Sequence, residues 1–255
     1  MVANVTPTAT RSSAFRVPSG EIVRLRSRSA DLSYNWFCWA ELVPNGQASS
    51  PRGAGERRGF MVGPKSAVDV AITGVLQGTV REKVRFAAGD FVIADGQKES
   101  FAAWIGPWHA VYGWFSPNTP STTVLGTFSG LGFVDDALGL RINSRTERLG
   151  RLLVTKRVPD VGLMQIMRGT EAAGLLPTWS GATVRAGEVW RKAVSDGDTH
   201  PHEHLVLAST SAVVIMDADP DRLKFHPDAP STSPAEADRL ALRFLEDLVE
   251  LSWGR

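Results

Sequence analysis

Apolar and polar positions alternate where the chain first becomes regular. Val23 and Leu25 would face one side while Arg24, Arg26 and Arg28 face the other, the two-residue period of a half-buried strand. The aromatic run Tyr34 to Trp39, YNWFCW, predicts a second strand. Further strands are expected over Lys83 to Ala94, Phe101 to Ile105 and Trp108 to Phe115, the last two joined as a hairpin by Gly106-Pro107. Ser209-Thr210-Ser211 predicts an equivalent turn later in the chain, and the Gly-, Ser-, Pro- and Arg-rich stretch Pro44 to Gly59 reads as a loop.

Near the end of the chain the period changes to three and four. Ser233 as N-cap, Pro234 at N1 and Glu236 at N3 form the start signal of a helix. Ala237, Leu240, Ala241, Phe244, Leu248 and Leu251 then give it one apolar face up to Gly254. An earlier helix is expected over Thr122 to Asp135, with Val124, Phe128 and Leu131 on one side. There Gly126, Gly130 and Gly132 would each cost about 1 kcal/mol of helix propensity.

Comparing the chain with itself adds a larger pattern. VRLRSRSADL from Val23 lines up with LRINSRTERL from Leu140 at an offset of 117, and LGTFSGLGFVDD from Leu125 precedes ALRFLEDLVELS by about 116. Between these lie AGDFVIADG beside AGEVWRKAVSDG, and the apolar runs Phe101 to Phe115 and His204 to Ala218, in the same order. The expected fold is therefore α+β: two tandem pseudo-repeats, each an antiparallel sheet closed by a C-terminal helix. This places a flexible tail at 1–17, a Trp-rich half at 18–135 and a second half at 136–255. Strands followed by a closing helix resemble the PsbP-like arrangement, a likeness of element order alone that implies no function.

Composition changes this picture little. The net charge is +1, and the 13 Lys+Arg against 9 Asp+Glu up to Pro117 leave only a mild basic bias there, so no field points to nucleic acid or an anionic membrane. Arg24, Arg26 and Arg28, without any nucleic-acid motif, read as a solvated sheet face. Cys38 is the only cysteine, which rules out an intrachain disulfide and a thiolate cluster. With neither an apolar leader nor a membrane-length apolar run, the expected location is the cytoplasm.

Two clusters invite chemistry. His200, His202 and His204 alternate along the chain, so their imidazoles could share one face and hold zinc, with Asp196 or Asp198 as a further ligand or second partner. Against this, Pro201 interrupts strand geometry, and the matching stretch Asp95 to Ser100, DGQKES, has no histidine; a solvated hairpin loop is the preferred reading. Trp104, Trp108 and Trp114 fall on one expected hairpin and could offer an aromatic surface to a partner, a small ligand or a carbohydrate. GFMVGPKS, Gly59 to Ser66, is too short for a phosphate loop, and Pro64 removes an amide that such a loop needs. His109 and His226 read as isolated structural residues, and no nucleophile, base or cofactor signature is coherent. The expected function is a non-catalytic accessory, chaperone or immunity-type protein that holds a protein partner. A zinc-dependent hydrolase or metal-binding protein on the histidine loop is the alternative, and a small-ligand or carbohydrate binder the second.

Overall fold

The structure, a computed structural model, describes residues 11–33, 35–45, 58–158, 161–194, 202–217 and 233–255. In chain order it opens with β1 (Arg11–Arg16), β2 (Ile22–Ser27), β3 (Trp36–Pro44) and β4 (Arg58–Pro64). Helix α1 (Ala67–Val70) runs on into a π-helical turn, Ala71–Val75. The strands β5 (Thr79–Phe86), β6 (Gly89–Asp95), β7 (Ser100–Ile105) and β8 (His109–Phe115) follow. Next come α2 (Ser121–Phe128), β9 (Leu131–Asp136), β10 (Gly139–Ser144), β11 (Glu147–Val158) and β12 (Gly162–Arg168). The chain closes with α3 (Gly169–Ala172), β13 (Ala182–Val184), β14 (Gly187–Val194), β15 (His202–Ala208), β16 (Ala212–Asp217), α4 (Pro234–Asp247) and β17 (Leu248–Gly254).

This corrects the expected α+β fold of sheets closed by C-terminal helices, and the PsbP-like order with it. Strand makes up 56% and helix only 18% of the structure, and both expected closing helices give way to strands. The first stops at Phe128: Gly130 adopts φ +82° and Leu131 opens β9, a left-handed step that glycine makes without steric cost. The second starts as read, with the Ser233 hydroxyl accepting from the Glu236 N–H at 3.3 Å, but ends at Asp247, and Leu248 is already extended. A bulge between Leu248 and Glu250 shifts the register of β17 against β2. Leu248 and Leu251, three apart, are therefore both buried on a strand. That spacing reads as helical, because a bulge adds one residue to the two-residue period.

The expected single strand Lys83 to Ala94 is instead a hairpin. Ala87 and Ala88 take φ of 45° and 60°, the left-handed pair of a tight two-residue turn between twisted strands. Alanine carries no turn signal, so the break is invisible in the residue pattern.

Two compact units divide the chain: the described residues of Met1–Phe15, Ile22–Tyr34 and Thr155–Arg255, and those of Arg16–Glu21 and Asn35–Val154. In the second unit β3-β4-β8-β7-β6-β5 run in that order as an antiparallel sheet. Helix α2 covers one face, setting Phe128 edge-on to Phe60 and Phe91 at 5.0 and 4.9 Å. Helix α1 and its π turn cover part of the other, packing Val68, Ala71 and Ile72 on Val92, Phe101 and Ala103. The β9–β10 hairpin completes this unit. In the first unit β13-β14-β15-β16-β12 run in that order, each antiparallel to the next. There Ala237, Ala241, Phe244 and Leu245 of α4 are buried, and β17 pairs with β2. Arg11–Arg16, part of the expected tail, is strand β1.

Candidate functional site

The β4 sequence RGFMVGP alternates glycine and methionine on one face: Gly59, Met61 and Gly63. On the neighbouring strand β3, Phe37, Trp39 and Glu41 share that face, while Cys38, Ala40 and Leu42 are buried on the other. The register Trp39–Met61–Tyr112 carries the outer face from β3 across β4 to β8, and Trp114 lies two residues further along it. The glycines shape this surface. A Cβ at Gly63 would come within 2.5 Å of the Phe37 ring, and one at Gly59 would collide with the Trp39 indole. Each ring therefore packs over a glycine backbone, a close approach that only a residue without Cβ allows.

The cluster packed under α1 takes in Tyr112 of β8 but no residue of β3. Beside it a groove of about 420 Å³ opens, floored by Phe37, Met61, Tyr112 and Trp114 and walled by Val70 and Val75. Val70 and Val75 are 63% and 67% exposed, and Trp39 and Trp114 are 42% and 37% exposed. Asn35, Ser66 and the Tyr112 hydroxyl are among the few polar groups of the lining. Burial raises the Tyr112 hydroxyl to about 12, so it stays neutral and adds no charge to the groove.

Of the three tryptophans read as a surface, the structure puts only Trp114 in this groove. Trp104 lies opposite Val111 in the β7–β8 pair and is buried on the other face. Its ring stacks on Phe133 at 4.4 Å, and its indole N–H donates to the Phe86 carbonyl at 3.0 Å. Trp108 is exposed in the β7–β8 turn, where its backbone N–H donates to Asp135 at 2.8 Å. The side chains alternate across the sheet, and the hairpin turn sits at its end, so three positions close in sequence reach three different environments.

Asp135 ties that turn down. Its buried carboxylate also accepts from the His109 N–H at 3.0 Å and pairs with His109 Nδ1 at 2.6 Å. The Trp36 ring lies 5.5 Å from the imidazole. His109 is thus an oriented structural residue, and its partner comes from β9, a strand outside the hairpin.

The histidine loop is only partly described. His200 lies outside the described residues, as does most of the loop Pro44 to Gly59. His202 and His204 belong to β15, paired in register with Val194 and Lys192. Lys192 thus stands directly opposite His204, and its ammonium donates to the Leu175 carbonyl at 2.8 Å. A cation at a directly opposed position disfavours a second cation on that face. Among the described residues no group of three or more His, Cys, Asp or Glu side chains comes together.

One buried amine stands apart. Lys156 in β11 is 1% exposed, and burial pulls its ammonium down to about 8 against the opposing pull of Asp31. A folded-state value below the unfolded one means that the unfolded chain binds the extra proton between pH 8 and 10.5, so stability rises with pH across that window. Below it the burial penalty on the charged form is fully present, at about 3 kcal/mol. Lys156→Met removes that penalty but loses the contacts of the amine, so we expect a gain of about 2 kcal/mol at pH 7. Urea unfolding of both proteins from pH 7 to 10.5 checks this, because the advantage of the variant must shrink as pH rises.

No family model, curated protein or solved structure matches the chain. The groove therefore rests on its own geometry. Reading from sequence identified Trp114 but missed Phe37, Met61, Val70 and Val75. The available signal was the Gly-x-Met-x-Gly alternation of residues 59–63, which marks one strand face kept clear for neighbouring rings.

Proposed function

We propose that this is a non-catalytic binding protein that holds a protein partner against the groove beside α1. The observation that carries the reading is an apolar groove in which exposed Val70, Val75 and Trp114 surround a floor of Phe37, Met61 and Tyr112. Exposed apolar patches of this kind in a soluble chain mark interaction surfaces, and exposed tryptophans are frequent anchors in them. A carbohydrate would need several convergent polar groups in the lining, and Asn35, Ser66, Tyr112 and Trp114 supply few in a lining that is mostly apolar.

The test is capture with the full chain, comparing wild type with Val70→Glu/Val75→Glu. Both side chains point into solvent, so the double variant should keep its Tm within about 2 °C. A partner retained by wild type, lost by the variant, and rebound when purified supports the reading. Equal capture by both proteins, or no specific partner across native conditions, overturns it.

A further inference from the structure

The groove also indicates what kind of segment it takes. We infer that the occupant is an amphipathic α-helix of the partner, laid along α1 with its apolar side on Phe37, Met61 and Trp114; this rests on the partner-holding function proposed above. Two observations lead there. The first is that the floor strands offer no backbone edge. β4 is paired with β3 on one side and β8 on the other, and β8 is paired with β4 and β7. A segment lying on this face therefore finds no main-chain donors or acceptors to bond. Its own N–H and C=O groups would be desolvated against Phe37, Met61, Tyr112 and Trp114, at a cost for every unpaired group. A helix satisfies its backbone internally and can bury one apolar side there, as helix-in-groove recognition does. An extended peptide would add instead to a sheet edge, and for the strands that floor the groove the edge within this unit is β5, whose Arg81, Lys83 and Arg85 pair with Asp95 and Asp90. Charged residues on an edge strand discourage added strands.

The second observation is size. The exposed parts of Trp114, Val70 and Val75 sum to on the order of 300 Å². That is less than half of the roughly 800 Å² each partner gives to a standard stable interface. Exposed apolar area of that size falls short of what a folded second copy would bury in a stable dimer. It suits the three or four anchor side chains of a single helix, spaced i, i+3, i+4 and i+7.

The test uses two displayed peptide libraries against the full chain. One is a helix-forming Ala/Glu/Lys scaffold with apolar residues randomised at i, i+3, i+4 and i+7. The other is an extended scaffold of alternating Thr and randomised apolar residues. Each selected peptide is measured by fluorescence anisotropy against wild type, Val70→Glu and Val75→Glu. The expected result is binders from the helical library that weaken tenfold or more with either variant and are abolished by a central proline. Groove-dependent binders from the extended library alone would overturn the helix and leave the partner-holding function standing. No groove-dependent binder from either library would overturn both. Sedimentation of the free chain completes the test: dimers that Val70→Glu dissolves would make the occupant a second copy and overturn the inference.

Discussion

Asp135→Ala should destabilise the unit that contains it by about 3 kcal/mol, among the largest effects expected of any single substitution here. The carboxylate is 2% exposed and accepts from the Trp108 and His109 backbone N–H groups while pairing with the His109 imidazole. Hydrogen bonds to a charged acceptor contribute more than neutral ones, and removing the acceptor leaves the part-buried His109 N–H and imidazole without this partner. The substitution also loosens the Gly106–His109 turn that ends the β7–β8 hairpin, where the Gly106 N–H donates to the His109 carbonyl at 2.8 Å. Denaturant unfolding measures the shift in midpoint. Asp135→Asn, which keeps an acceptor but loses the charge, should fall between the two. A midpoint for Asp135→Ala within experimental error of wild type would show that the turn holds without its clamp.

Arg58→Met should cost a similar amount, for a different reason. Arg58 opens β4 and makes a two-pronged contact with Glu147, its Nε donating at 3.0 Å and its Nη2 pairing with the other carboxylate oxygen. Its remaining amino group donates to the Thr127 carbonyl at 2.5 Å, tying the end of α2 to the sheet. The Glu147 side chain is 8% exposed, so losing the arginine strands a nearly buried charge, at a cost of about 3 kcal/mol. The prediction separates the stranded charge from the pair. Arg58→Met/Glu147→Met should recover most of the loss, because replacing a buried ion pair with apolar groups is close to neutral. A double-mutant cycle on unfolding midpoints reads the difference directly. A double variant as unstable as Arg58→Met alone would place the cost in the lost Thr127 contact instead.

Local signals in the chain were read well where a single element decides them. The Ser233–Pro234–Glu236 start of α4 forms as expected because a cap is a contact within four residues. The alternation of Val23 and Leu25 with Arg24 and Arg26 gives β2 its buried and exposed sides. The ends of those elements were less legible. Whether Leu248 to Gly254 continues a helix or turns into β17 depends on β2, which offers a free edge from more than two hundred residues earlier. An edge partner of that kind can outweigh helix propensity. The α+β expectation failed at this point and at Gly130.

The groove shows the same division. By itself the sequence determined which residues are large and apolar, and that Gly59 and Gly63 share one side of a strand with Met61 between them. It left open whether Trp104 and Trp114 share one side of their hairpin or fall on opposite sides. Only the tertiary structure decided between those outcomes. The strand register aligns Trp39, Met61 and Tyr112 on one face and sends Trp104 to the other, under Phe133. Helix α1 then packs on β6, β7 and β8, and the cluster beneath it takes in no residue of β3. Exposure depends on which neighbour covers a face, and contacts between distant segments are not encoded in any local period of the chain.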